Sequence, residues 1–195
     1  MKNFSANHVL ENVLTQDDRD QIYTHIAKAP DDQIRFIDEF SQVIWLNWLP
    51  DSVVDKLTAA AQATSDVPIE LRELSFCRYA IVEGKGVVPL LFPHLDETFK
   101  EPRLTLDVQV ESTLDWPIVI EGTEFSLEDN QALTFSGTHQ VHWRKKVEFG
   151  KEDHVDMIFA HFSEVGVEKE VLTWEHFSPL IERRDQITVD YNNES

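Results

Sequence analysis

The hydrophobic pattern of the first 65 residues favours helices. Thr15 can cap the segment "TQDDRDQIYTHIAKA", whose first turn carries two aspartates that interact favourably with the positive end of the helix dipole. Pro30 ends this predicted helix because proline cannot continue it. Residues 31–49 are predicted to form a second, uneven helical segment with a break near its aromatic end, and residues 51–64 a third, alanine-rich one.

From about Leu71 onward the pattern changes to short strands. In "RLTLDVQVES", four aliphatic residues alternate with Thr105, Asp107, Gln109 and Glu111. This period of two predicts a half-buried strand with one apolar and one polar face. Further short runs, "WPIVIEG", "ALTFSG", "QVHWRKKVEF" and "HVDMIFAHFSE", are separated by turn residues, which is typical of a sandwich or barrel.

The length of the chain suits one domain with a complete hydrophobic core. We divide it into an N-terminal helical part (1–65), a β core (71–165) and a C-terminal extension (166–195) whose polar end is expected to fray. The fold class predicted from this organisation is mainly β, within the α+β group. The N-terminal helices are expected to pack outside an antiparallel β core.

The charge of the chain narrows the classes of partner. It has 17 Lys and Arg against 36 Asp and Glu, a net charge of −19, so we expect no general binding to nucleic acid or to anionic membranes.

The single cysteine, Cys77, excludes an internal disulfide and a cysteine-rich zinc site. No stretch approaches the roughly 20 apolar residues of a membrane span, and the N-terminus lacks an apolar signal core. These features predict a cytoplasmic location.

Candidate metal ligands lie in two stretches. "FPHLDETF" places His94 and Asp96 two residues apart, so their side chains share a face if the segment is extended. Downstream, "TFSGTHQVHWRKK" offers His139 and His142 after a glycine turn. A second imidazole would complete the two-histidine, one-carboxylate set that leaves three positions open on iron(II). Chemistry and spacing alone leave both downstream histidines open as the third ligand.

Both stretches resemble the Fe(II)/2-oxoglutarate-dependent dioxygenases. "RYAIVEGKGVVPLLFPHLD" is similar to the strand that carries the H-x-D motif of this superfamily, and "WPIVIEGTEFSLEDNQALTFSGTHQVHWR" resembles a bacterial, prolyl-hydroxylase-like branch with H-W-R after a glycine turn. The resemblance covers residues 74–164. It implies a double-stranded β-helix (a cupin-like jelly roll) that uses Fe(II), 2-oxoglutarate and O2. It also implies that His94, Asp96 and His142 bind the iron, with His142 favoured over His139 because it matches the H-W-R histidine.

The resemblance further implies a cation for the distal carboxylate of 2-oxoglutarate. The superfamily usually supplies an arginine or lysine shortly after the second histidine, but that window here reads "KEDH", and the strand after it has neither residue. Arg144 is the preferred substitute, since it shares a strand face with His142 and a guanidinium can bind a carboxylate bidentately. Lys151 is a weaker candidate for the same role. His161 and Tyr79 are further candidates for contact with the co-substrate.

The function implied by the resemblance is hydroxylation of a substrate with release of succinate and CO2. The substrate is expected to be a small molecule or a peptide, and the sequence leaves its identity and the oligomeric state open. Two alternatives remain. A cupin-like metal-binding protein would bind the metal but would not turn over 2-oxoglutarate, and a non-enzymatic acidic binding module would associate with a cationic protein in a salt-sensitive way.

Overall fold

The computed structural model describes residues 6–30, 41–84, 88–96, 103–166 and 174–193. In these ranges the strands are β1 (His8–Leu10), β2 (Gln42–Leu46), β3 (Ile69–Ala80), β4 (Leu104–Ser112), β5 (Ile118–Ile120), β6 (Thr123–Phe125), β7 (Ala132–Phe135), β8 (His142–Arg144) and β9 (His154–Glu164). The helices are α1 (Gln16–Ile26), α2 (Asp51–Gln62) and α3 (Trp174–Asn193).

The strands form a larger and a smaller antiparallel sheet. The larger sheet has the strand order β1-β7-β4-β9-β3-β2, and the smaller has the order β6-β5-β8. Strand β9 pairs along most of its length with β3 on one side and with β4 on the other, so three long strands form the centre of the larger sheet. This arrangement confirms the prediction of a mainly β core.

Helices α1 and α2 contribute to the main hydrophobic core on one face of the larger sheet. Ile22 of α1 and Val53 and Leu57 of α2 belong to the same buried cluster as Phe76 of β3 and Ile158 of β9. Burying one such side chain contributes about 1.5–3 kcal/mol to stability. The helices therefore cover one face of the sheet and leave its other face to form the interior between the two sheets.

Strand β4 corrects one sequence-based prediction, because both of its faces are buried. Its aliphatic residues, including Leu106 and Val108, lie in the main core as the alternation predicts. The opposite face was expected to meet solvent, yet Thr105, Asp107 and Gln109 are only 1%, 4% and 3% exposed. Thr105 and Asp107 line an internal cavity instead.

The N-terminal part is less helical than its pattern suggests. Helices α1 and α2 lie within the first and third predicted helical segments. The helix predicted for the second segment is wrong over Gln42–Leu46, which is the edge strand β2 paired with β3. The sequence "QVIWL" of this strand is rich in the β-branched and aromatic residues that suit a strand. The preceding residues 31–40 lie outside the described residues.

The C-terminal extension is helical through Asn193, where the sequence predicts fraying. Lys146 Nζ, just after β8, donates to the carbonyl oxygen of Tyr191 of α3 at 2.9 Å. The Tyr191 ring also contacts Phe92, with 5.9 Å between the ring centroids. Helix α3 therefore supports the segment that leads to His94.

Candidate metal centre

A pair of backbone hydrogen bonds brings His94 beside His142. The amide nitrogen of each residue donates to the carbonyl oxygen of the other at 3.0 Å, which forms an isolated antiparallel bridge next to β8. Two residues on, the Asp96 amide donates to the Gly137 carbonyl at 2.8 Å. The segment that carries the H-x-D motif is thus fixed against β8 and against the turn that precedes it.

Three side chains from these segments meet at one point. Ligand atoms of His94, Asp96 and His142 all lie within 4.8 Å of one another. Asp96 Oδ1 is 3.7 Å from His94 Nε2 and 3.4 Å from His142 Nε2. Nδ1 of His94 lies 2.8 Å from the carbonyl oxygen of Phe92, and Nδ1 of His142 lies 3.0 Å from that of Gln140. Because a carbonyl only accepts, both Nδ1 atoms carry a hydrogen, so the Nε2 lone pairs are the ones available to a metal when the rings are neutral.

Gly137 permits the close packing around Asp96. A Cβ atom at position 137 would lie 1.8 Å from Asp96 Oδ2 and 2.5 Å from Thr105 Oγ1, so any side chain there would displace the carboxylate. Thr105 Oγ1 donates to Asp96 Oδ2 at 3.1 Å, and His161 Nε2 is 3.7 Å from the same oxygen. These contacts hold Oδ2 and leave Oδ1 directed at the two histidines, as supporting contacts of metal ligands do.

The electrostatics of this group favour a cation. Burial opposes ionisation of Asp96, but His142, His161 and His94 hold its pKa well below the usual range, so it is a carboxylate at neutral pH. Burial and the neighbouring His142 lower the pKa of His94 to about 4. Burial also disfavours the charged form of His142, yet Asp96 raises the pKa of His142 above its ordinary value. A divalent metal would replace the proton held between His142 and Asp96.

The three side chains line a cavity of about 410 Å³ between the two sheets. Much of its wall is apolar and is formed by Trp45, Leu91, Phe92 and Phe159. The other lining residues are polar or ionisable, and they include the three candidate ligands. A cavity of this size that combines an apolar wall with convergent polar groups is typical of a small-molecule site.

Arg144 is almost completely buried, with 2% of its surface exposed. Its Nη1 donates to the Trp116 carbonyl, its guanidinium carbon is 5.0 Å from the centroid of the Trp116 ring, and its Nη2 is 3.4 Å from Met157 Sδ. Burial lowers the pKa of Arg144, while the negative potential of Asp107 and Tyr79 opposes this effect. Among the described residues, no carboxylate oxygen lies within 4.0 Å of this guanidinium. A buried charge without a close partner is costly, so a bound anion would stabilise it.

The structure separates the remaining candidate residues into two groups. Tyr79 and His161 line the cavity. His139 is partly buried and lies outside the group of three ligand atoms. The side chain of Lys151 is 80% exposed and pairs with Glu83 on the surface, so it is not brought to the cavity.

Several residues of the cavity escape the sequence-based reasoning, among them Gln42, Trp45, Asp107 and Phe159. Gln42 and Trp45 fall in the segment with the wrong helix prediction, and the Trp45 and Phe159 rings pack with centroids 6.4 Å apart. Of these, only Asp107 could have been identified as a cavity residue from the sequence. Since predicted helices must cover the aliphatic face of its strand, its polar face is the one available to a second sheet.

The comparison with known proteins finds similarity in structure only. No protein-family model matches the chain, and no curated protein matches its sequence. The epimerase SnoN of nogalamycin biosynthesis, described as non-haem and α-ketoglutarate-dependent, superposes with a TM-score of 0.62 at 11% identity over 87% of this chain and 88% of that one. The viral collagen prolyl hydroxylase of Paramecium Bursaria Chlorella virus-1, in complex with 2-oxoglutarate, gives a TM-score of 0.58 at 11% identity over 82% and 96%. HygX of Streptomyces hygroscopicus, solved with nickel and 2-oxoglutarate, gives 0.56 at 9% identity over 84% of both chains.

These similarities establish the fold of the chain. It is the fold of Fe(II)/2-oxoglutarate oxygenases, and the prediction of a double-stranded β-helix is confirmed. The structural neighbours belong to the same superfamily that the H-x-D and H-W-R motifs resemble. At identities of 9% to 11%, the likeness extends to the fold and not to a substrate.

Proposed function

We propose that this protein is an Fe(II)- and 2-oxoglutarate-dependent oxygenase. The observation that carries the proposal is the convergence of His94, Asp96 and His142 at one point of an internal cavity, with both Nε2 atoms directed at Asp96. Two imidazoles and one carboxylate suit a non-haem iron(II) that keeps positions open for other ligands. The fold shared with oxygenases of this class supports the same function.

Arg144 is the proposed anchor for the distal carboxylate of 2-oxoglutarate. Its buried charge has no carboxylate within ion-pair distance in the described part of the chain, and its guanidinium can bind a carboxylate through two parallel hydrogen bonds. Tyr79 supplies a second group at the cavity. Gln42 Nε2 donates to the Tyr79 hydroxyl at 3.0 Å, so the phenolic hydrogen can be donated onward. The exposed Lys151 is omitted from this assignment.

Bound together, iron(II), 2-oxoglutarate and O2 would supply the oxidising chemistry, with succinate and CO2 as the products of the co-substrate. The residues of this chain would bind these groups, orient them and keep water out. We propose hydroxylation as the reaction, a small molecule or peptide as the substrate, and a cytoplasmic location. A small-molecule substrate is supported by HygX, which was also solved with hygromycin B bound.

The test is anaerobic absorption spectroscopy of the protein with iron(II), before and after addition of 2-oxoglutarate. A metal-to-ligand charge-transfer band is expected when the oxoacid chelates the iron. His94→Ala should abolish the band because it removes a ligand, whereas His139→Ala, outside the ligand group, should retain it. Iron binding without the band would contradict the oxygenase and favour a cupin-like metal-binding protein. Failure to bind iron would contradict the metal centre.

The charge-transfer band also tests whether Arg144 binds the distal carboxylate of 2-oxoglutarate. Arg144→Gln is expected to weaken 2-oxoglutarate binding about 100-fold, because it removes the buried cation that meets the distal carboxylate. Arg144→Lys keeps the charge but not the paired donors, so its affinity should be intermediate. Lys151→Gln removes a surface cation and serves as the control with unchanged affinity. Wild-type affinity of Arg144→Gln would place the anchor elsewhere.

A further inference from the structure

Asp107 is a buried carboxyl group that has no role in the assignments above. It lies in the middle of β4, between Leu133 of β7 and Phe159 of β9. It is 4% exposed and lines the same cavity as the three candidate metal ligands. Among the described residues, its Oδ1 has no hydrogen-bond partner, and no cationic side chain lies within ion-pair distance of it. Such a group is costly to bury alone, so its position indicates contact with a bound molecule.

The bound molecule offered by the proposed function is 2-oxoglutarate. Its two carboxylates and its keto oxygen only accept hydrogen bonds, so a hydrogen bond with Asp107 requires that Asp107 carry the hydrogen. Burial raises the pKa of Asp107 to about 7, and Asp96 adds to this effect, whereas His142 and Arg144 oppose it. The neutral acid is therefore accessible near neutral pH.

The charge balance of the loaded site favours the same form. Iron(II) and Arg144 bring three positive charges, and the 2-oxoglutarate dianion and Asp96 bring three negative ones. An ionised Asp107 would leave the buried site with an uncompensated negative charge beside a dianion, which a low-dielectric interior disfavours. A protonated Asp107 leaves the site neutral and adds a donor.

We propose that Asp107 binds 2-oxoglutarate as a neutral carboxylic acid and donates an O–H hydrogen bond to one of its carboxylates. The inference rests on the proposed function and adds to it a further co-substrate-binding residue besides Arg144 and Tyr79. Asp107 takes its proton from solvent when it is ionised before binding. Binding of 2-oxoglutarate is therefore coupled to uptake of a proton at alkaline pH.

Other titratable groups surround Asp107. Those that line the cavity are His94 and Asp96 of the H-x-D segment, His142 of β8, His161 of β9, and Glu73 and Tyr79 of β3, while Arg144 of β8 interacts with Asp107 electrostatically and Cys77 of β3 lies next to Tyr79 on the same strand face. The variant Asp107→Asn retains all of them, keeps an N–H donor and cannot ionise. A comparison of this variant with the wild type isolates the proton of Asp107.

The experiment measures 2-oxoglutarate binding to the iron(II)-loaded protein without oxygen, between about pH 6 and about pH 8.5. The charge-transfer band gives the affinity, and calorimetry in buffers of different ionisation enthalpy gives the number of protons taken up. Wild-type affinity is expected to fall as the pH rises, by up to about tenfold per pH unit above the pKa of Asp107. Asp107→Asn should bind within about threefold of the wild type at low pH and should lose this pH dependence and the proton uptake. Asp107→Leu, which lacks a donor, should bind about tenfold more weakly or worse at low pH.

The outcomes separate the two levels of the proposal. A wild-type protein that binds iron but gives no band overturns the proposed function itself. A wild-type band together with the same pH dependence and proton uptake in Asp107→Asn overturns the role of Asp107 alone. Wild-type affinity of Asp107→Leu overturns it as well. If thermal unfolding shows that Asp107→Leu does not fold, the number of protons that Asp107→Asn takes up on binding 2-oxoglutarate still tests the role of Asp107.

Discussion

Each histidine of the candidate metal centre is held at Nδ1 by the carbonyl of the residue two positions before it in the chain. Phe92 provides this carbonyl for His94, and Gln140 provides it for His142. The contact is local, so it leaves the Nε2 nitrogen of each ring available to a metal independently of the tertiary structure. The meeting of the two rings, by contrast, depends on the backbone bridge between their segments.

At the residue scale, metal affinity is expected to fall as the pH is lowered. Asp96 raises the pKa of His142, although burial opposes it, and a metal binds only the neutral ring. Below this raised pKa the metal must displace one proton, so affinity should fall about tenfold per pH unit. His94, with a pKa of about 4, is already neutral over most of this range. Anaerobic titration with iron(II) at several pH values measures the slope, and a flat profile would contradict the proton between His142 and Asp96.

At the scale of elements, one buried carboxylate connects α1 to α2. Asp18, in the first turn of α1, accepts from the Thr15 amide at 2.7 Å and completes the capping box that begins this helix. Lys56 Nζ of α2 lies 2.6 Å from Asp18 Oδ2. Burial works against the charge, but the hydrogen bonds from Lys56 and Thr15 lower the pKa of Asp18. The same side chain therefore caps one helix and holds the next beside it.

Replacing Asp18 by alanine is expected to lower the free energy of unfolding by about 1–3 kcal/mol near neutral pH. Because the folded-state pKa of Asp18 is lowered, its contribution is present above the unfolded-state pKa and is lost as the pH falls through the folded-state value. The difference between wild type and variant should thus shrink in acid. Urea denaturation at several pH values measures it. Asp17→Ala, at an exposed position of the same turn, is the control, and an equal loss there would contradict a specific role for Asp18.

At the scale of the whole molecule, the net charge of −19 produces repulsion that the folded state must withstand. We expect the free energy of unfolding to rise when moderate sodium chloride screens this repulsion over distances of about 10 Å. Denaturant midpoints at low and moderate salt measure the change, and a neutral osmolyte at equal osmolality is the control. A fall in stability with salt would show that attractive ion pairs outweigh the repulsion.

None of the described helices is long and apolar enough to cross a membrane.

Much of the fold could be predicted because its signals are local. Thr15 and its neighbouring acids mark the start of α1, and the alternation of residues 103–112 marks β4. Strand β2 was missed although its residues suit a strand, because strand propensity depends on context and this segment gains its stability from pairing with β3. Tyr191 of α3 contacts Lys146 through its backbone carbonyl and Phe92 through its ring, which the polar C-terminal sequence does not reveal.

The sequence by itself determined that the chain carries an H-x-D pair and two downstream histidines, since spacing along an extended segment sets which side chains share a face. Only the tertiary structure brought His142, and not His139, to that pair, because the choice depends on a bridge between segments 48 residues apart in the chain (94 and 142). The burial of Arg144 and Asp107 was likewise decided in three dimensions. A strand has two faces, and which of them meets water depends on what packs opposite, here a second sheet that encloses a cavity.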